Sequence, residues 1–120
     1  NAKAALITRG ISELSRLIKI SGGNFNTAFG LAGIGDMSLT CSGPHSRNMS
    51  YGMNLVKGNN ADNTLELVEG VNAIGAAITL AKRLKIELPI VNAINQILNK
   101  NGNIREIIPQ LLSRPIKDEF

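Results

Sequence analysis

Apolar residues recur at steps of three and four along most of the chain, and convincing strand alternation is absent. Ile7, Ile11, Leu14 and Ile18 form a first stripe, with Arg9, Glu13 and Arg16 on another face at ion-pair spacing. Gly22-Gly23 closes that helix. Residues 24–35 are short and broken, and Phe25, Phe29 and Leu31 are expected in the core. Helical turns are expected over 36–42. From Ser46 a helix carries Met49, Met53 and Val56 until Gly58 stops it, and 59–63 reads as a polar loop. Val71, Ile74, Ile78 and Ala81 form the next stripe, ending in Lys82, Arg83 and Lys85, which suits a helix C-terminus. Pro89 fits the first turn of another helix, with Ile90, Ile94 and Ile97 as its stripe. A turn is expected at 100–103. The apolar segment 104–112 has a helical period, but Pro109 inside it should kink or split it. The pattern predicts an all-α protein, a multi-helix bundle without a sheet.

Composition narrows the function classes. The chain has 120 residues, 43% of them apolar, which suits one domain, 1–120, with a real core. The net charge of +4 is spread along the chain with no basic run. Trp is absent, with one Tyr and three Phe, so the aromatic platforms of a single-strand nucleic-acid binder are missing. A small anionic ligand fits that charge better than DNA or RNA. No apolar run approaches the roughly 20 residues of a membrane span. The lone Cys41 cannot form an internal disulfide, which fits a reducing, cytoplasmic setting. The chain opens Asn1-Ala2-Lys3 straight into helix-forming sequence, as a piece of a longer chain would.

The most informative chemistry lies in Asp36-Met-Ser-Leu-Thr40-Cys-Ser-Gly-Pro-His-Ser46-Arg47-Asn48. Asp36 and Thr40 are four apart and share a helical face. After the Ser42-Gly43-Pro44 turn, Ser46 reads as an N-cap with a fixed cation beside it. Free backbone N–H groups and a guanidinium can together hold an anion. A carboxylate, a hydroxyl and an anion cradle suit a small phosphorylated alcohol. The same residues also fit a plain capped helix with a solvated Arg and a turn-facing Asp.

Three weaker signals read as structure. Gly30-Leu-Ala-Gly33-Ile-Gly35 lacks the order of a dinucleotide fingerprint and follows no strand, so a close-packed turn is expected. His45 has no Cys or His partner at metal spacing, and no metal site is expected. Glu69 stands at the entrance of a long helix, where an acidic residue is favoured.

Four segments carry a resemblance when taken in order: Asn1-Ala-Lys-Ala-Ala-Leu-Ile-Thr-Arg-Gly10, Gly33-Ile-Gly35-Asp36 with Thr40-Cys41, Ser46-Arg47-Asn48, and Val68-Glu69-Gly70. Together they resemble the C-terminal substrate domain of bacterial NAD(P)-dependent glycerol-3-phosphate dehydrogenase. The likeness is strongest over 36–48 and weakest over 59–66 and after 103.

The resemblance implies interconversion of dihydroxyacetone phosphate and sn-glycerol 3-phosphate with NAD or NADP, supplying the phospholipid backbone. Asp36 would contact substrate and support proton transfer, with Thr40 lining the same pocket. Ser46, Arg47 and Asn48 would hold the substrate, Arg47 near the phosphate and also reaching the cofactor. Leu67 and Glu69 would contact the nicotinamide cofactor. The family's Rossmann domain and catalytic Lys lie before the segment matched by Asn1, and Lys3 does not occupy that Lys position. The chain alone is therefore expected to be inactive. Partners implied are the enzyme's own Rossmann domain and a second subunit. Pro109 and the His45 loop depart from the family pattern. Two other readings stay open: a helical interaction or dimerisation domain without a ligand, and the helical domain of a related hydroxy-acid dehydrogenase.

Overall fold

The computed structural model describes residues 1–44, 46–58, 69–99 and 102–115. Predictions at His45, the 59–63 loop, Leu67, Lys100 and Asn101 lie outside the described residues. Within them the protein is all α, as the periodicity predicts, and no strand occurs. The helices are α1 (Ala2–Ile20), α2 (Asp36–Thr40), α3 (Arg47–Val56), α4 (Glu69–Leu84), α5 (Pro89–Asn99) and α6 (Ile104–Leu112). A 3-10 turn (Phe25–Phe29) and a π-helical turn (Leu31–Gly35) join α1 to α2.

The core lies where α5 and α6 meet α1. Ala93, Ile107 and Leu111 are buried there, with Leu6, Ile90 and Ile97 packed against them. The inward face of α5 is thus Ile90, Ala93 and Ile97, and the expected Ile94 lies off it at 37% exposure. On α1 the predicted stripe turns inward at Ile11, but the buried run beside it is Ser12, Glu13 and Ser15.

Helix ends follow local chemistry. α1 ends at Gly22 (φ 90°), with Gly22 N–H donating to Lys19 O and Gly23 N–H to Ile18 O. Gly58 (φ 78°) ends α3 in the same left-handed region. α4 uses Lys85 (φ 56°), with Ile86 N–H donating to Ala81 O.

Two expectations are corrected. Phe25, Phe29 and Leu31 are not core: they are 38%, 40% and 91% exposed, and Ala28 is the residue fully buried there. The short 3-10 and π turns that carry them direct Ala28 and Gly33 inward and leave the larger side chains outside. The two rings instead meet edge to face at 6.4 Å. Second, Pro109 does not split its helix, since α6 runs through it. The proline removes one N–H that would have bonded Arg105 O, but both residues are exposed, so that carbonyl is not sealed from solvent.

Candidate functional site

The approach to Asp36 is set by the glycine segment. A Cβ at Gly33 would collide with the Ala28 carbonyl oxygen, so only glycine fits the buried crossing of the two turns. Gly35 N–H reaches back to Gly30 O at 3.2 Å, the wide spacing of a π turn, and α2 begins at the next residue. α2 rests on α1 at Gly10, where Met37 Sδ would lie 3.2 Å from an added Cβ. Asp36 is exposed in the first turn of α2. The Thr40 hydroxyl donates within the turn, to Asp36 O at 3.0 Å and Met37 O at 3.3 Å. Its hydrogen is engaged locally, leaving lone pairs as its means of meeting a ligand.

Ser46 is the N-cap of α3, as predicted: its Oγ accepts from Met49 N–H at 3.0 Å. Arg47 follows as the first helical residue and is exposed. Asn48 reaches another helix. Its Oδ1 accepts from Gly70 N–H at 2.9 Å, at the start of α4 and next to Glu69. The structure therefore joins two segments 22 residues apart, Ser46–Asn48 and Glu69–Gly70. Asp36 and Thr40 share one turn of α2, and five residues separate Thr40 from Ser46. Among the described residues, hydrogen bonds tie α3 to α4, not α2 to α3. Among them also, no group of three or more His, Cys, Asp or Glu could hold a metal ion.

A cleft of about 720 Å³ lies elsewhere. It runs between α1, α5 and α6 and is lined in part by Arg9, Glu13, Arg16, Glu87 and Arg114. Its charges are engaged: Arg114 pairs with Glu87 at 3.4 Å, and Glu13 and Arg9 hold helix ends. Glu13 Oε1 and Oε2 accept from Ile90 and Val91 N–H at 2.7 and 3.3 Å, capping α5. Arg9 donates to Leu112 O and Arg114 O, and Arg16 to Ser12 Oγ and Glu87 O. Arg9 and Glu13 thus hydrogen-bond to long-range partners rather than to each other, while Arg16 bonds Ser12 and Glu87 and still acts on Glu13 through its charge. Burial raises the Glu13 carboxyl above its ordinary value, opposed by the two backbone donors and by Arg16 and Arg114. One signal for this cap was present in the sequence: Pro89 starts a helix after Glu87-Leu88, and Leu88 has no side-chain acceptor.

The described residues thus form a helical domain in which a serine-capped Arg-Asn helix start is bonded to the acidic start of a second helix. Residues 1–109 match the family described as NAD-dependent glycerol-3-phosphate dehydrogenase C-terminus. The chain belongs to that family. It is 44% identical over 124 residues to a glycerol-3-phosphate dehydrogenase (NAD(P)+) of Oceanobacillus iheyensis, covering 100% of this chain and 36% of that protein. Proteins of the same name from Listeria monocytogenes serotype 4a and Oleidesulfovibrio alaskensis are 46% and 42% identical, each over 99% of this chain and 36% and 37% of their own length. The chain thus spans little more than a third of these curated relatives.

Proposed function

We propose that this chain, residues 1–120, is the substrate-binding domain of an NAD(P)-dependent glycerol-3-phosphate dehydrogenase, interconverting dihydroxyacetone phosphate and sn-glycerol 3-phosphate and feeding phospholipid synthesis. The observation that carries the reading is the bond from Gly70 N–H to Asn48 Oδ1, which sets the phosphate-binding candidates beside Glu69. The relatives' names support the same reaction class. Arg47 is exposed beside the serine-capped first turn of α3, so its guanidinium and backbone amides suit a phosphate dianion. Ser46 and Asn48 flank that charge, and Asp36 and Thr40 supply the carboxylate and hydroxyl for the polyol end. Asp36 supports proton transfer at the substrate C2 oxygen, whose proton leaves as the alcohol is oxidised. The nicotinamide supplies hydride exchange with substrate C2 when bound. Arg47, Leu67 and Glu69 are the cofactor contacts from this chain. Exposed Arg47 and Glu69 are free to meet a cofactor held mainly by a dinucleotide-binding domain. That domain, with its catalytic Lys, and a second subunit are the proposed partners. Leu31, Leu39 and Val56, at 91%, 62% and 69% exposure, give those partners apolar surface to cover. The proposed setting is the cytoplasm. Among the described residues no helix is long and apolar enough to cross a membrane.

Arg47 provides the test. In the full-length enzyme, Arg47→Lys keeps the charge but loses the planar fork, and Arg47→Ala loses both. KM for glycerol 3-phosphate should rise in both, more for Ala, with a loss on the order of 2 to 5 kcal/mol for the missing charge contact. Melting temperature should hold, because the side chain is exposed. An unchanged KM with a lowered melting temperature makes Arg47 structural and places the phosphate elsewhere.

A further inference from the structure

The first N–H groups of any helix lack intrahelical acceptors and need a partner. At the start of α4 the Gly70 N–H finds one on α3, the Asn48 carboxamide oxygen at 2.9 Å. Because the backbone group is a donor, the atom facing it must be Oδ1, which assigns Nδ2 to the other arm of the planar carboxamide. That NH2 is what Asn48 has left to offer a ligand oxygen. The fit at Gly70 is close. An added Cβ would lie 2.7 Å from Asn48 Oδ1, 3.0 Å from Cγ and 3.3 Å from Nδ2. Any side chain at position 70 would therefore push the carboxamide away and break the bond. Asn48 is exposed, so it can move without disturbing the core.

We propose that Gly70 is a positioning residue for substrate, acting through Asn48: its N–H orients the carboxamide, and its missing Cβ leaves room for it. The bond also ties substrate-side Asn48 to cofactor-side Glu69, so each ligand organises the other's contacts. This inference rests on the function proposed above. It separates two effects that would otherwise be confused. Alanine is the better helix former, so local propensity alone predicts that Gly70→Ala stabilises the protein. The contact predicts weaker substrate binding in the same variant.

The experiment is a double-mutant cycle in the full-length enzyme: wild type, Gly70→Ala, Asn48→Ala and the double variant. KM for glycerol 3-phosphate, kcat, NADH binding by fluorescence with and without glycerol 3-phosphate, and melting temperature are read for each. Gly70→Ala should raise KM roughly threefold to tenfold, the scale of one neutral hydrogen bond, with a smaller change in kcat and an equal or higher melting temperature. It should shrink the factor by which glycerol 3-phosphate tightens NADH binding. On the Asn48→Ala background the same substitution should leave KM unchanged. Independent, multiplicative effects of the two substitutions overturn the proposal, as does an unchanged KM in Gly70→Ala. A wild-type enzyme that neither turns over glycerol 3-phosphate nor binds NADH defeats the functional reading and this inference with it, whereas an active wild type with independent effects defeats the inference alone.

Discussion

Lys85 shows how a single residue carries a cost the fold accepts. It holds φ at 56°, in the region L side chains avoid, because α4 must turn sharply into Leu88 and Pro89. Lys85 N–H donates to Lys82 O and Ile86 N–H to Ala81 O, the pairing that closes a helix through a left-handed residue. Glycine does this work at positions 22 and 58. The left-handed conformation costs a non-glycine residue about 1 to 2 kcal/mol. Glycine would recover part of that and lose unfolded-chain entropy and the lysine's favourable charge at the helix C-terminus. Lys85→Gly should therefore stabilise the protein by about 0.5 kcal/mol, read as a small rise in melting temperature. A fall would mean that the lysine makes an interaction worth more than the backbone strain. Leu88, only 1% exposed just beyond this turn, is what the sharp reversal places in the core.

At the scale of elements, the junction before Asp36 matters most. The 3-10 turn and the π turn cross where the Ala28 carbonyl meets Gly33, and α2 emerges from that crossing. Gly33→Ala must widen the crossing and rotate α2. The expected result in the full-length enzyme is a lower melting temperature together with a lower kcat, since Asp36 shifts with its helix. Loss of stability with full kcat would show that the crossing does not aim Asp36. Much of this architecture was legible in the sequence. The 3.6-residue period marked α1, α3, α4 and α5, Ser46 announced the start of α3, and the glycine run announced a close-packed turn. The contiguous stretch from Asp36 to Asn48 made most candidate site residues visible together. Two kinds of information were not local enough to read. Phe25, Phe29 and Leu31 looked like core because they are the large apolar side chains of a short, broken segment, and the local sequence does not show which of its residues the turns direct inward. The Asn48 contact with Gly70 joins separate helices, and neither residue's neighbours imply it.

Across the whole molecule, side chains from distant helices finish what local sequence leaves undone. Asn48 of α3 serves the start of α4, Arg9 of α1 binds the carbonyls at the end of α6, and Glu13 of α1 caps α5 from 77 residues away. Glu13 is the most consequential, since α5 begins with a proline after an apolar residue and has no local cap. Removing its carboxyl leaves the Ile90 and Val91 N–H groups without their acceptor, so Glu13→Ala should cost about 1 to 3 kcal/mol. The carboxyl also makes stability pH-dependent in an unusual direction. Burial raises its folded-state pKa above the ordinary 4.5, against the pull of the two N–H donors and the nearby arginines. A carboxyl that binds its proton more tightly when folded favours the folded state at low pH. Its contribution is fully present below the unfolded value and is lost as pH rises through the folded value. Glu13→Gln removes that titration, while its amide oxygen can still accept from one of the two donors. Denaturant unfolding of wild type and Glu13→Gln, from below pH 4.5 to neutrality, checks this. The stability of wild type relative to the glutamine variant should decline as pH rises, then level off once Glu13 is ionised. A relative stability that climbs with pH would mean that the helix N-terminus and the arginines outweigh burial and hold the carboxylate charged.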